Sequence, residues 1–174
     1  TYIGKMNDGG QPLTGYVSNL RVVIGSALYT SAFTPSTTPL TAVTNTKILT
    51  CQSNRFVDNS SNAYAVAVGS GTPQVSRFSP FAPTYSTQYS TSTIGGSLYI
   101  DGSGGDYLSV PSQSAFNITD GDWTMECWIY PTGSTIQFAS MGLADTSMYW
   151  SFQSPDNTSQ IFFGSGKGTG QWNN

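Results

Sequence analysis

The sequence predicts an all-β chain folded as an antiparallel two-sheet β-sandwich. Short blocks of alternating apolar and polar residues recur along its length, most plainly from Ile94 to Pro131. Glycine-rich turns such as Gly102-Ser103-Gly104-Gly105 punctuate those blocks, and no amphipathic helical pattern interrupts them. Many short strands without helices are the composition of two sheets packed face to face.

Taken in order, Tyr2 to Gly4 reads as a short strand, and Asn7-Asp8-Gly9-Gly10 as the turn of a hairpin, because Asn, Asp and Gly tolerate positive φ. Tyr16 to Ile24 alternates, with Tyr16, Leu20, Val22 and Ile24 on one face and Val17, Asn19, Arg21 and Val23 on the other; Ser18 interrupts the first face. Gly25, Pro35 and Pro39 make the threonine-rich stretch from Thr30 to Thr46 an extended connection. Tyr64, Val66 and Val68 share a face of a further strand, opposite the small Ala65 and Ala67. Ser79 to Gly96, rich in Pro, Ser and Thr, is the most linker-like stretch of the chain. From Trp123 onward, Met125, Cys127 and Ile129 share the face of Trp123, opposite Thr124, Glu126, Trp128 and Tyr130. Met148, Trp150 and Phe152 alternate with Ser147, Tyr149 and Ser151, and Ile161 to Phe163 leads into a glycine-rich hairpin tip, Gly164 to Gly170.

The phrases GGSLYIDGSGGDYLSV and GDWTMECWIYP resemble the opening strands of laminin-G-like domains, within the concanavalin-A-like lectin and glucanase superfamily. GYVSNLRVVIGSALYTSAFTPSTTPLTAV, Gly15 to Val43, resembles the closing strands of the same domain type. The resemblance implies a jelly-roll form of the sandwich, with Lys47 to Phe81 as a first strand, an asparagine and serine turn and a second strand, and with Ser79 to Gly96 as an ordered surface excursion, which we favour over a flexible linker. It also implies an unusual order, closing strands before opening strands, with residues 1–46 ending one domain, a joint near Asn45, and residues 47–174 beginning the next. Such a domain takes about 180 to 200 residues, so 47–174 is too short for a whole one. The chain is expected to be a window on a tandem array, each piece completed by polypeptide outside it, or else a swap in which 1–46 of one copy completes 47–174 of another. The absence of an initiating methionine and of a signal-peptide pattern agrees with a fragment. The wording resembles that of tandem domains in large virion structural proteins of bacteriophages, particularly those of marine bacteria.

Composition narrows the function. Only 9% of the 174 residues are charged, and Ser and Thr make up about a quarter of the chain, which suits an extracellular or particle surface. With six cations scattered among nine carboxylates, net charge −3, there is no basic surface for nucleic acid. No apolar stretch approaches a membrane span, so membrane insertion is not expected. The two cysteines, Cys51 and Cys127, permit a disulfide, or each fills a small apolar space in the core. Without histidine, and without a metal-binding cysteine spacing, a zinc site is not expected.

Glycoside hydrolysis needs two carboxylates flanking the scissile bond. Glu126 is the only glutamate, and the superfamily's closely spaced catalytic acids have no counterpart in TMECWIYP. Asp101, Asp106, Asp120 and Asp122 sit in turns, where aspartate stabilises the bend. The resemblance also makes these four the candidate ligands of a calcium ion at a sandwich rim, although hard cations take six to eight oxygens. Gly164 to Gly170 lacks the spacing and following helix of a phosphate loop. For carbohydrate, Tyr149 and Trp172 are the surface candidates and Trp128 and Tyr130 the ambiguous ones, whereas Trp123 and Trp150 belong with the core. The expectation is therefore a non-enzymatic adhesive or structural module of a phage virion, a tail fibre or surface appendage, that displays or recognises host-surface glycans. Its partners would be neighbouring domains or copies and host-surface polysaccharide. The rivals are a ligand-free structural repeat and a polysaccharide-degrading enzyme with its catalytic strand elsewhere.

Overall fold

The computed structural model describes residues 1–5, 12–81, 90–103, 105–116, 121–133, 136–142, 149–154 and 162–166, the last three stretches through their backbone alone. The chain is all-β, and among the described residues there is no α-helix, only one 3₁₀ turn, Ser114–Phe116. Eleven strands follow in order: β1 Tyr2–Ile3, β2 Thr14–Ile24, β3 Thr46–Thr50, β4 Ala67–Ser70, β5 Gln74–Ser76, β6 Ser97–Asp101, β7 Tyr107–Ser109, β8 Trp123–Pro131, β9 Ile136–Gly142, β10 Tyr149–Ser154 and β11 Phe162–Gly166.

They form two antiparallel sheets. One runs β11-β10-β9-β1-β7-β4. The other is organised by β2, eleven residues long, which pairs with β8 from Gly15 to Ile24 along one edge. The opposite edge is shared end to end: Thr14 to Val17 pair with β6, which in turn pairs with β5, and Leu20 to Val23 pair with β3. Apolar residues of both sheets meet in one cluster: Ile3 and Leu108 from the first; Val17, Leu20, Val22, Ile48, Leu98 and Ile100 from the second; Phe116 from the 3₁₀ turn. Met125, Cys127 and Ile129 pack against it, so the alternation read in β8 holds. A core enclosed between two sheet faces is consistent with a β-sandwich.

In β2 the simple alternation fails halfway. From Ser18 to Arg21 the strand spends three steps against two in β8, from Trp128 to Glu126, a bulge of one residue. Asn19 takes it up at φ 54°, a conformation asparagine tolerates better than most residues. The bulge reverses parity. Val17, not Tyr16, joins Leu20 and Val22 inside, and Tyr16 is turned to the outer face with its register partners Tyr99 and Tyr130.

Other expectations also change. β1 and β2 are not a hairpin: β1 pairs with β7 and β9, so the two strands lie in different sheets. Gly4, at φ 101°, turns the chain between them, and the turn at Asn7 to Gly10 lies outside the described residues. Tyr64 and Val66 do face the core, but the strand begins only at Ala67, and Val68 is exposed. Gly164 to Gly166 belong to β11 rather than to a loop tip, while 167–170 lie outside the described residues. Ser79 and Phe81 are buried, and the Ser79 hydroxyl donates to Ile94 O, which pins both flanks of the stretch whose middle, 82–89, is also outside.

The two pieces proposed from the resemblance, 1–46 and 47–174, share both sheets. Leu20 pairs with Thr50, Arg21 with Leu49 and Val22 with Ile48 in one chain, and β1 sits between β7 and β9. Completion of each piece only by polypeptide outside the chain is at odds with that pairing, because the hydrogen-bonding edges left over from 1–46 are taken by strands of 47–174.

Candidate functional site

Three cross-strand neighbours on the outer face of the second sheet are aromatic. Tyr16 in β2 stands opposite Tyr99 in β6 and Tyr130 in β8, with ring centroids 4.9 and 6.3 Å away. Directly opposed residues of antiparallel strands share a face, so the register alone brings these rings together. Phe78, just beyond β5, closes the group at 4.7 Å from Tyr16 and 5.0 Å from Tyr130. Tyr130 is 55% and Phe78 48% exposed, so the rings do not bury one another.

Between them lies a depression of about 130 Å³, lined by Tyr16, Phe78, Pro80, Trp128 and Tyr130 with Ser18 and Ser97. The Trp128 ring is held edge-on by Phe81 at 4.9 Å. The Ser18 hydroxyl is spent on Gly96 O at 2.6 Å, whereas the buried Ser97 hydroxyl has no hydrogen-bond partner among the described residues. At this size the depression accepts one face of a ring rather than enclosing a molecule, since sites that engulf small ligands run from about 300 Å³ upward.

Of the four carbohydrate candidates, the structure thus brings Trp128 and Tyr130 together. Tyr149 lies in β10 of the other sheet, where only backbone is described, and Trp172 lies outside the described residues. Phe78, Tyr16 and Tyr99 were missed. For Tyr16 the signal was present, since the break at Ser18 marks the bulge that turns the ring outward.

Among the described candidate metal ligands, Asp101 and Asp106 are neighbours and Asp122 lies apart from them. Asp101 and Asp122 lie at opposite ends of β2, one paired with Thr14 and the other next to the Ile24–Trp123 pair. Ten residue steps of strand put them about 30 Å apart. Asp101 is exposed and accepts from Ser103 N at 2.7 Å; hydrogen bonds from Ser103 hold its carboxyl below the usual range, with a smaller contribution from Asp106. Asp106 is buried. Its Oδ1 accepts from Thr72 N at 2.7 Å and its Oδ2 has no partner among the described residues. Gly71 lies so close that a Cβ there would meet Oδ1 at 1.5 Å. Two carboxylates, one already fastened to Thr72, are a poor start on the six to eight oxygens of calcium, and among the described residues no three metal-binding side chains gather. Asp122 is exposed and its carbonyl accepts from Gly25 N, while Asp120 lies outside the described residues.

Glu126 is engaged from both sides. Arg21 forms an ion pair with Oε1, Nε donating at 2.7 Å, and the Tyr29 hydroxyl donates to Oε2 at 2.7 Å. Arg21 also donates to Thr41 O at 2.7 Å, so the pair fastens the 25–45 connection across the outer face of β2 and β8. Desolvation, followed by the bond to Glu126, raises the Tyr29 pKa above its ordinary value. Cys51 and Cys127 are free thiols, and burial pushes both up to about 12, as expected of small apolar fillers.

Comparison with known protein families, with curated proteins and with solved structures finds no match to this chain.

Proposed function

We propose that this chain is a non-enzymatic, glycan-recognising module of a virion surface, a tail fibre or similar appendage, built on a laminin-G-like sandwich. One observation carries the recognition part: the open aromatic depression formed by Tyr16, Phe78, Trp128 and Tyr130. Aromatic faces stack on the C–H face of a sugar ring, and the exposed rings of Tyr130 and Phe78 present such faces at the depression. The virion part rests on the sequence resemblance. Neighbouring copies are the proposed partners, since the contacts that join 1–46 to 47–174 are ones a second copy would make by exchange.

The engagement of Glu126 by Arg21 and Tyr29 supports the non-enzymatic reading, because both carboxylate oxygens are committed to structure.

The test is binding to a panel of bacterial surface polysaccharides, with calcium and with a chelator, for the native chain and for Tyr130→Ala and Phe78→Ala. Saturable binding weakened about tenfold by either substitution, at unchanged melting temperature, is the expected result. No saturable binding would leave the ligand-free repeat, and release of reducing ends would make the protein an enzyme.

A further inference from the structure

We propose that the cleft between residues 39–41 and the 52–59 loop is a second binding site, specific for an acidic saccharide, a sugar bearing a carboxylate such as a hexuronate. The cleft measures about 510 Å³, against about 130 Å³ for the aromatic depression. That volume lies within the range of sites that enclose small ligands. Its lining combines apolar Leu40 and Val57 with amides and hydroxyls, among them Asn54, Asn59 and Ser53, and among the described residues it carries a single charged one, Arg55.

Each of these features selects a ligand. Amide and hydroxyl groups both donate and accept, which matches the vicinal hydroxyls of a sugar, whose oxygens do both as well. A guanidinium presents a planar fork that fits a carboxylate with two parallel hydrogen bonds. Arg55 is exposed, and the ion pair among the described residues belongs to Arg21, not to Arg55. A single cation in a chain of net charge −3 does not suit a polyphosphate, which needs several cations along its backbone. It does suit one carboxylate surrounded by neutral hydroxyls.

The walls are fixed before any ligand arrives. Gln52 Nε2 donates to Asn19 Oδ1 at 3.0 Å and to Leu40 O, and Gln52 Oε1 accepts from Asn59 Nδ2 at 3.1 Å. Leu40 N donates to Asn19 Oδ1 at 2.8 Å, and Arg21 holds Thr41 O. Both sides of the cleft are therefore tied to the bulge at Asn19. A preorganised site spends less binding energy on ordering its own loops.

The experiment is isothermal titration of the full chain with a galacturonate trimer, a neutral glucose trimer and acetate, for the native sequence, Arg55→Gln and Tyr130→Ala. Arg55 is exposed, and an unchanged melting temperature verifies that Arg55→Gln is folded. The expected result is saturable galacturonate binding that falls about tenfold or more in Arg55→Gln, survives Tyr130→Ala, and weakens with salt. Equal affinity in Arg55→Gln, no binding at millimolar trimer, or acetate binding as tightly as the trimer would each overturn the inference. Loss in Tyr130→Ala alone would do so too, and would place the binding at the aromatic depression instead.

Discussion

Replacing Glu126 by Gln should destabilise the protein severely, although the change is nearly isosteric. Arg21 and Glu126 side chains are only 7% and 16% exposed, so the amide would leave a guanidinium buried beside a neutral group. Loss of one partner of a buried pair costs about 3 to 5 kcal/mol, and the partial exposure of Glu126 places the expectation at the low end, about 3 kcal/mol. For a chain of this size each kcal/mol lowers the melting temperature by about 2 to 4 °C, so a fall of about 6 to 12 °C is expected. The penalty belongs to the unpaired charge rather than to lost attraction. The double variant Arg21→Met, Glu126→Leu should therefore recover to within about 1 kcal/mol of the native chain. Urea unfolding of the native, single and double variants measures all three values. A Glu126→Gln variant within about 0.5 kcal/mol of native, or a double variant less stable than Glu126→Gln, would refute the reasoning.

Asp58 accepts four hydrogen bonds, from the amides of Leu49, Ser60 and Tyr64 and from the Ser60 hydroxyl. Asp58→Asn turns one acceptor oxygen into a donor and should cost about 1 to 3 kcal/mol in urea unfolding. Alkaline pH should destabilise the fold. The native state holds the Cys51 and Cys127 protons up to about 12, while the unfolded chain releases them from about 9, so stability present below pH 9 is lost as pH rises through that window. The loss should reach about 1 kcal/mol per thiol near pH 10, and a Cys51→Ala, Cys127→Ala variant should show a flatter profile. Tyr29 adds to the decline in the same direction above pH 10, which Tyr29→Phe would remove. Millimolar calcium should leave the melting temperature unmoved; a rise abolished by Asp106→Asn would instead make the Asp101–Asp106 loop a calcium site.

The local pattern made the strand class legible. Alternation in β8 identified its inner residues, Met125, Cys127 and Ile129, because a strand's side chains alternate wherever one face is buried. Its outer residues also proved informative, since Trp128 and Tyr130 line the aromatic depression. Cys51 could be read as a buried filler from residue type alone, and Cys127 as a half-buried one packed on the core. The Asp101–Asp106 loop was recognisable as a turn, but not the inward rotation of Asp106 onto Thr72, which is a contact across 34 residues.

What the sequence determined by itself is what depends on near neighbours: strand identity and the inner face of β8. Tertiary structure decided which edges meet. The bulge at Asn19 reverses the face of β2, the pairing of β2 with β6 and β8 assembles Tyr16, Tyr99 and Tyr130, and the Asn19–Gln52–Leu40 bonds shape the polar cleft. A period of two assigns a face only relative to its neighbours. One inserted residue changes it, and rings more than a hundred positions apart become neighbours only when strand register is set by the whole sheet.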